Sequence, residues 1–196
     1  MPPLTKLTRA ALAAILLGLS ACATVPRGPG GFAGGSGASD LVIQSTGFRF
    51  PARLGVFVRG GGKQYDAAGQ DLSVKYKAGE LIIADIYEYP SGGKTLAAEF
   101  ADRKDEIKLA HSDARLLREG PVTIHPGGIE RSGWKAVFAI SQGYHYSFPP
   151  PYQSDLLVLQ RGARFIEYRF SYSASHRERA ESEIRKFIDH LAWPSG

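Results

Sequence analysis

The stretch Ser175–Pro194 reads SHRERAESEIRKFIDHLAWP, and its periodicity dictates how the rest of the chain must pack. Ala180, Ile184, Phe187, Ile188 and Leu191 recur at i, i+4, i+7, i+8 and i+11, which makes one apolar stripe on a helix of 3.6 residues per turn. Ser175 and Glu178 have capping-box spacing, and Trp193-Pro194 stops the helix. At about 1.5–3 kcal/mol per large buried side chain, this stripe contributes several kcal/mol if it finds an apolar surface. The preceding segment supplies one. Ile166, Tyr168, Phe170 and Tyr172 alternate along Arg164–Tyr172, so they share one face of a strand. Leu156–Leu159 and an Arg161-Gly162 turn complete a hairpin with it.

Further upstream the same alternation recurs. Leu41-Val42-Ile43, Phe48-Arg49-Phe50, Leu54–Val58, Leu72–Tyr76 and Leu81–Tyr89 read as strands. Gly60-Gly61-Gly62 and Ala78-Gly79 read as turns between them. Thr95 to about Ala110 is helical in pattern, with Leu96, Phe100, Ile107 and Ala110 inward and Arg103, Lys104 and Asp105 outward. Thr95 is its expected N-cap, and Glu99 sits in the first turn, where the helix dipole favours it. Leu116–Ile124 and Trp134–Ser141 add two strands, the second with Trp134, Ala136, Phe138 and Ile140 on one face. Strands, helix, strands, helix, without regular βα alternation, predict an antiparallel α+β fold: a sheet flanked by helices, over residues 41–196 as a single domain.

The order of these elements, the Tyr89-Pro90 strand end before a helix, the Tyr-rich antiparallel run and the closing Phe-Ile-x-x-Leu-x-Trp-Pro resemble the PsbP-like fold over roughly residues 45–194. The resemblance implies an α+β sandwich from a group that is mostly non-enzymatic. It implies no particular binding site.

The N-terminus has its own signature. Lys6 and Arg9 precede an apolar run at 10–19. Ten residues are too few to span a bilayer, which takes about 20, and they suit a signal-peptide core. Leu19-Ser20-Ala21-Cys22 then resembles the bacterial lipobox. That resemblance implies a signal peptide at 1–21, cleavage after Ala21, and acylation of Cys22. The rival readings are a soluble secreted protein cut after a small-residue site, or a buried cysteine on a core helix. Two or three acyl chains hold a soluble domain on a membrane, whereas one holds it marginally. In lipoproteins of enteric type an Asp after the cysteine retains the protein in the inner membrane. Ala23 stands there instead, which implies the periplasmic face of the outer membrane. Residues 22–40, the lipidated cysteine and a Gly-rich segment, read as a flexible linker of about 21–25 Å.

Composition narrows the function classes. The 196 residues carry a net charge of +5, and removing Lys6 and Arg9 with the leader lowers it by two to +3. So small an excess gives no footprint for nucleic acid. One cysteine excludes a disulfide framework and a Cys-based zinc site. Ser91-Gly92-Gly93-Lys94-Thr95 follows a strand and opens a helix, as a phosphate loop does. The position that needs its first glycine is Glu88, however, and Pro90 removes an N–H donor, so no nucleotide is expected. Residues 161–168 resemble an RNA-stacking strand, but Ala163 and Arg164 stand where aromatic and small residues belong. His111, His125, His145, His176 and His190 have no metal-ligand spacing, and neither metal nor cofactor is expected. Asp85 and Asp155 are candidate acids without a recognisable partner.

The residues singled out for binding are Tyr144, His145, Tyr146 and Tyr152, around Pro149-Pro150-Pro151. Aromatic residues in a proline-rich loop can form a recognition platform or can pack the loop onto the sheet. The reading that follows is a non-enzymatic, lipid-anchored periplasmic protein that works as an interaction or assembly module with an envelope protein partner. The alternative is a lipoprotein that binds a small ligand or a cell-wall component. A hydrolase would need a nucleophile, base and orienter brought together by the fold.

Overall fold

The computed structural model describes residues 31–32, 39–142 and 150–194. Cys22, most of the expected linker, and Tyr144, His145 and Tyr146 lie outside the described residues. The strands are β1 (Gly31–Phe32), β2 (Leu41–Val42), β3 (Arg49–Phe50), β4 (Arg53–Leu54), β5 (Phe57–Gln64), β6 (Leu72–Ala78) and β7 (Ile82–Pro90), then β8 (Arg115–Ile124), β9 (Arg131–Ile140), β10 (Tyr152–Arg161) and β11 (Arg164–Ser173). Helix α1 (Leu96–Ala110) follows β7, and α2 (Arg177–His190) follows β11.

Nine of these strands form one antiparallel sheet among the described residues. Its order is β1-β5-β6-β7-β11-β10-β9-β8, with β4 also paired to β5. The sheet is two meanders joined where β7 meets β11. The chain runs β5-β6-β7, crosses on α1 to the far edge, and returns β8-β9-β10-β11. Fifteen residues of α1 span about 22 Å, close to the roughly 19 Å of four strand spacings between β7 and β8. The helix length therefore matches the crossover it has to make.

The two faces carry different helices. Leu72, Val74, Tyr76, Ala84, Ile86, Ile166, Tyr168 and Phe170 form one buried face, against Ala180, Ile184, Phe187, Ile188 and Leu191 of α2. Phe187 lies at the centre, with ring centroids 4.6 Å from Phe57, 5.1 Å from Tyr76 and 5.9 Å from Phe170. On the other face Ala136, Phe138, Leu156, Val158 and Phe165 pack against Phe100 and Ile107 of α1. Trp134 stacks on Phe100 at 5.7 Å. Each helix covers only part of its face: α1 lies chiefly over β9 and β10, and the helices among the described residues leave the β5–β6 side of the same face bare.

Several local expectations are corrected. Gly60-Gly61-Gly62 is not a turn: β5 runs through it, with a bulge between Arg59 and Gly62. The chain reverses at 65–71 instead, where Asp66 Oδ1 accepts from the amides of Gln70 and Asp71. A carboxylate that accepts two amides fixes this turn more strongly than glycine content does. The Ser175–Glu178 capping box does not form. A 3-10 turn over Ala174–His176 moves the helix start to Arg177, and Ser175 bonds Ser173 and His176. Gly31 and Phe32, inside the segment read as linker, pair with Lys63 and Gly62 on the outer edge of β5, whose backbone groups need partners there.

Candidate functional site

The part of the sheet that α1 leaves uncovered is floored by the residues alternating with the α2-facing core. On β7 these are Asp85, Tyr87 and Tyr89, since Ala84, Ile86 and Glu88 face α2. On β11 they are Glu167 and Arg169, between Ile166, Tyr168 and Phe170. Antiparallel register puts Tyr87 opposite Glu167 and Asp85 opposite Arg169. Helix α1 supplies Glu99, Arg103 and Glu106 at i, i+4 and i+7, a polar stripe beside its apolar one. Tyr87, Tyr89, Glu167, Arg169, Arg103 and Glu106, together with Tyr65 and Asp71, line an open recess of about 270 Å³ between α1 and the bare sheet.

Its charged groups hold one another. Arg103 Nε donates to Glu99 Oε1 at 2.6 Å, and its Nη1 to Glu106 Oε1 at 2.5 Å. Arg169 Nη2 donates to Glu106 Oε2 at 2.8 Å, and its Nε to Glu167 Oε1. The Tyr89 hydroxyl lies 3.0 Å from Glu99 Oε1 and 3.1 Å from Glu167 Oε2, within donating distance of both. The guanidinium of Arg103 lies 5.4 Å from the Tyr89 ring centre, and that of Arg169 lies 5.5 Å from Tyr87. Arg103, expected to point outward, thus faces the sheet. Its side chain is 24% exposed, and that of Glu99 is 2%.

The two buried carboxylates respond in opposite directions. Burial raises Glu99, but hydrogen bonds from Tyr89 and Arg103 outweigh it, so its carboxyl lies below the ordinary 4.5. Burial also raises Glu167 and there prevails over Arg169 and Arg103. Burial and the neighbouring Glu167 push the Tyr89 phenol far above its usual range. The arrangement provides fixed donors and acceptors beside aromatic rings, which suits recognition.

The other sequence candidates fall elsewhere. Tyr152 opens β10 and is 1% exposed, in a small buried cluster with Ile83 and Ile140. Its hydroxyl lies 3.3 Å from His111 Nδ1. A buried strand residue cannot belong to an exposed loop surface, so Tyr152 packs. Asp85 and Asp155 lie on opposite faces and cannot act together. Asp85 pairs with Lys75 at 3.3 Å, and Asp155 with Lys135 at 2.6 Å and the Tyr172 hydroxyl at 2.9 Å. Lys94 of the phosphate-loop-like turn bonds Asp102 at 2.8 Å, and Thr95 caps α1 by accepting from the Ala98 amide. Among the described residues no cluster of three His, Cys, Asp or Glu is placed to hold a metal ion, and no helix is long and apolar enough to cross a membrane. The recess escaped sequence reading, although strand alternation signals it: whatever is not on the Ile166–Tyr172 face must floor the other one.

No protein-family model matches this sequence, and no curated protein matches it significantly.

Proposed function

We propose that this chain is a lipoprotein of the cell envelope, cleaved after Ala21 and held by acyl chains on Cys22, whose domain works as a non-enzymatic interaction module. The observation that carries this reading is Leu19-Ser20-Ala21-Cys22 directly behind a basic start and a ten-residue apolar run. The resemblance to the PsbP-like fold supports the non-enzymatic part, and Ala23 after the cysteine supports the periplasmic face of the outer membrane. The recess between α1 and the sheet is the proposed partner-facing site. Its carboxylates are committed to guanidinium groups, which favours a surface of fixed shape over a proton-transfer site.

Metabolic labelling with a clickable palmitate tests the anchor. Wild-type chain should take up label, and Cys22→Ser should take up none and accumulate unprocessed or detached. Label at wild-type level in Cys22→Ser would refute the reading.

A second reading, binding of a small ligand or cell-wall component, is favoured by one observation. Three tyrosines and two arginines converge on a recess near the lower end of ligand-site volumes, which run from about 300 Å³. Titration with soluble cell-wall fragments, followed by amide shifts, separates the two. Shifts confined to Tyr65, Tyr87, Tyr89 and their neighbours would favour the ligand.

A further inference from the structure

The bare half of the α1 face has a charge of its own. Paired residues across a sheet share a face, so the register that aligns Arg53 with Val58, Val58 with Lys77, and Lys63 with Ser73 puts Arg53, Lys63 and Lys77 on this side. Lys75 shares it, two residues from Lys77. Arg53, Lys63, Lys75 and Lys77 are all exposed. Among the described residues only Lys75 of these four is in a salt bridge, with Asp85 at 3.3 Å. Val58, 37% exposed, is paired with both Arg53 and Lys77, and Tyr65, 40% exposed, follows Lys63, whose ammonium lies 4.7 Å from its ring centre. Among the described residues, Asp85 faces this half beside Lys75, and Asp71 lies at the β6 start. It is therefore a cationic surface with aromatic and aliphatic side chains among the charges.

Its position relative to the N-terminus is the second observation. Strand β1 pairs with β5 at Gly62 and Lys63, on the edge of this same half. Eight residues lie between Cys22 and Gly31, and the nine Cα–Cα steps reach at most about 30 Å. An anchor at Cys22 therefore keeps this edge of the sheet within about 30 Å of the lipid.

We infer that the cationic half-face of β4–β6 docks on an anionic membrane surface, with Lys63, Lys75, Lys77 and Arg53 against lipid phosphates and Tyr65 and Val58 at headgroup depth. Clustered basic residues are attracted to anionic leaflets, tyrosine suits the interface, and a basic patch is a standard complement to acyl anchoring. The orientation argument rests on the proposed acylation of Cys22, whereas the charge argument does not.

The test uses the processed chain, residues 22–196, with Cys22→Ser, so that no acyl chain contributes. It should co-sediment with vesicles of phosphatidylglycerol and phosphatidylcholine, bind pure phosphatidylcholine far less, and dissociate in 1 M salt, where screening acts over about 3 Å. One lysine near such a surface is worth about fivefold in partitioning. Lys63→Gln with Lys77→Gln, which spares the Lys75–Asp85 pair, should lower partitioning about 25-fold at an unchanged urea midpoint, and adding Lys75→Gln about a hundredfold. Arg177, Arg179 and Arg185→Gln on the exposed side of α2 makes the same charge change and should alter it less than about threefold. Equal losses from the two triple variants, equal binding to both vesicle types, or equally tight binding of a DNA oligomer would overturn the inference. Retained vesicle binding with no palmitate on the wild-type chain would instead overturn the lipoprotein reading and leave the docking face standing.

Discussion

Phe187 shows how one side chain organises the larger core. It is 1% exposed and touches three aromatic rings contributed by β5, β6 and β11. No single strand could bury it. Phe187→Ala should cost about 3–5 kcal/mol, as buried Phe truncations do, because the surrounding rings cannot collapse into the gap. Arg185→Ala, on the exposed side of the same helix, should cost under about 0.5 kcal/mol. Urea unfolding of the two variants gives both values, and equal small effects would mean that α2 is not docked. Gly133 is the opposite case, a residue chosen for what it lacks. A Cβ there would stand 2.5 Å from the Val158 carbonyl oxygen and 2.7 Å from Leu159 Cγ, so β9 and β10 approach closely only with glycine at this position.

At the scale of elements, α1 is attached by two different stripes. Phe100 and Ile107 bury against β9–β11, and Glu99, Arg103 and Glu106 engage Tyr89, Glu167 and Arg169. The polar attachment makes docking pH-dependent, with a sign that differs by residue. Glu99 is held below its ordinary 4.5, so its stabilisation is complete above that pH and is lost as pH falls through the lower folded value. Glu167 is raised, so it contributes a cost that is absent below 4.5 and grows as pH rises through its folded value. Glu99→Gln should therefore flatten the acid limb of the stability curve below pH 4.5. Urea midpoints at stepwise lower pH measure it, and an unchanged limb would mean that Glu99 gains nothing from Tyr89 and Arg103.

At the scale of the molecule, Glu88 joins parts that are distant in sequence. It is fully buried on the α2 face, and its Oε1 accepts from Arg161 at 3.2 Å and Arg164 at 3.0 Å, while Oε2 accepts from Thr46 at 2.8 Å. Arg161 also reaches the Pro194 carbonyl, and the Trp193 indole donates to the buried Tyr168 hydroxyl at 2.7 Å. The β2–β3 hairpin and the end of the chain are thus tied to the sheet through one carboxylate and one indole. Glu88→Ala leaves two largely buried guanidinium groups without their shared partner and should cost about 3–5 kcal/mol. Thermal unfolding would show it, and a shift below about two degrees would assign the tie to packing alone.

The elements were readable because they depend on local chemistry. The 180–191 stripe, the alternation at 166–172, the Thr95 cap and the Gly162 turn each express a backbone period or conformation that neighbouring residues impose. The order of these elements, without regular βα alternation, pointed to an antiparallel sheet with helices against it, and the lipobox-like stretch needs no fold to be read. The recess and the cationic half-face were not readable in the same way. Tyr89, Glu99 and Glu167 are separated by 10 and 78 positions along their shared contacts, and only the β7–β11 junction brings them together. Arg103 reads as a solvent residue until the sheet supplies Glu167 and Tyr89 beneath it. Tyr152 reads as part of a proline-rich loop until β9 and β11 pair on either side of it. Alternation along one strand divides its residues between two faces, but which face a helix covers, and which half stays bare, depends on where the crossover lands.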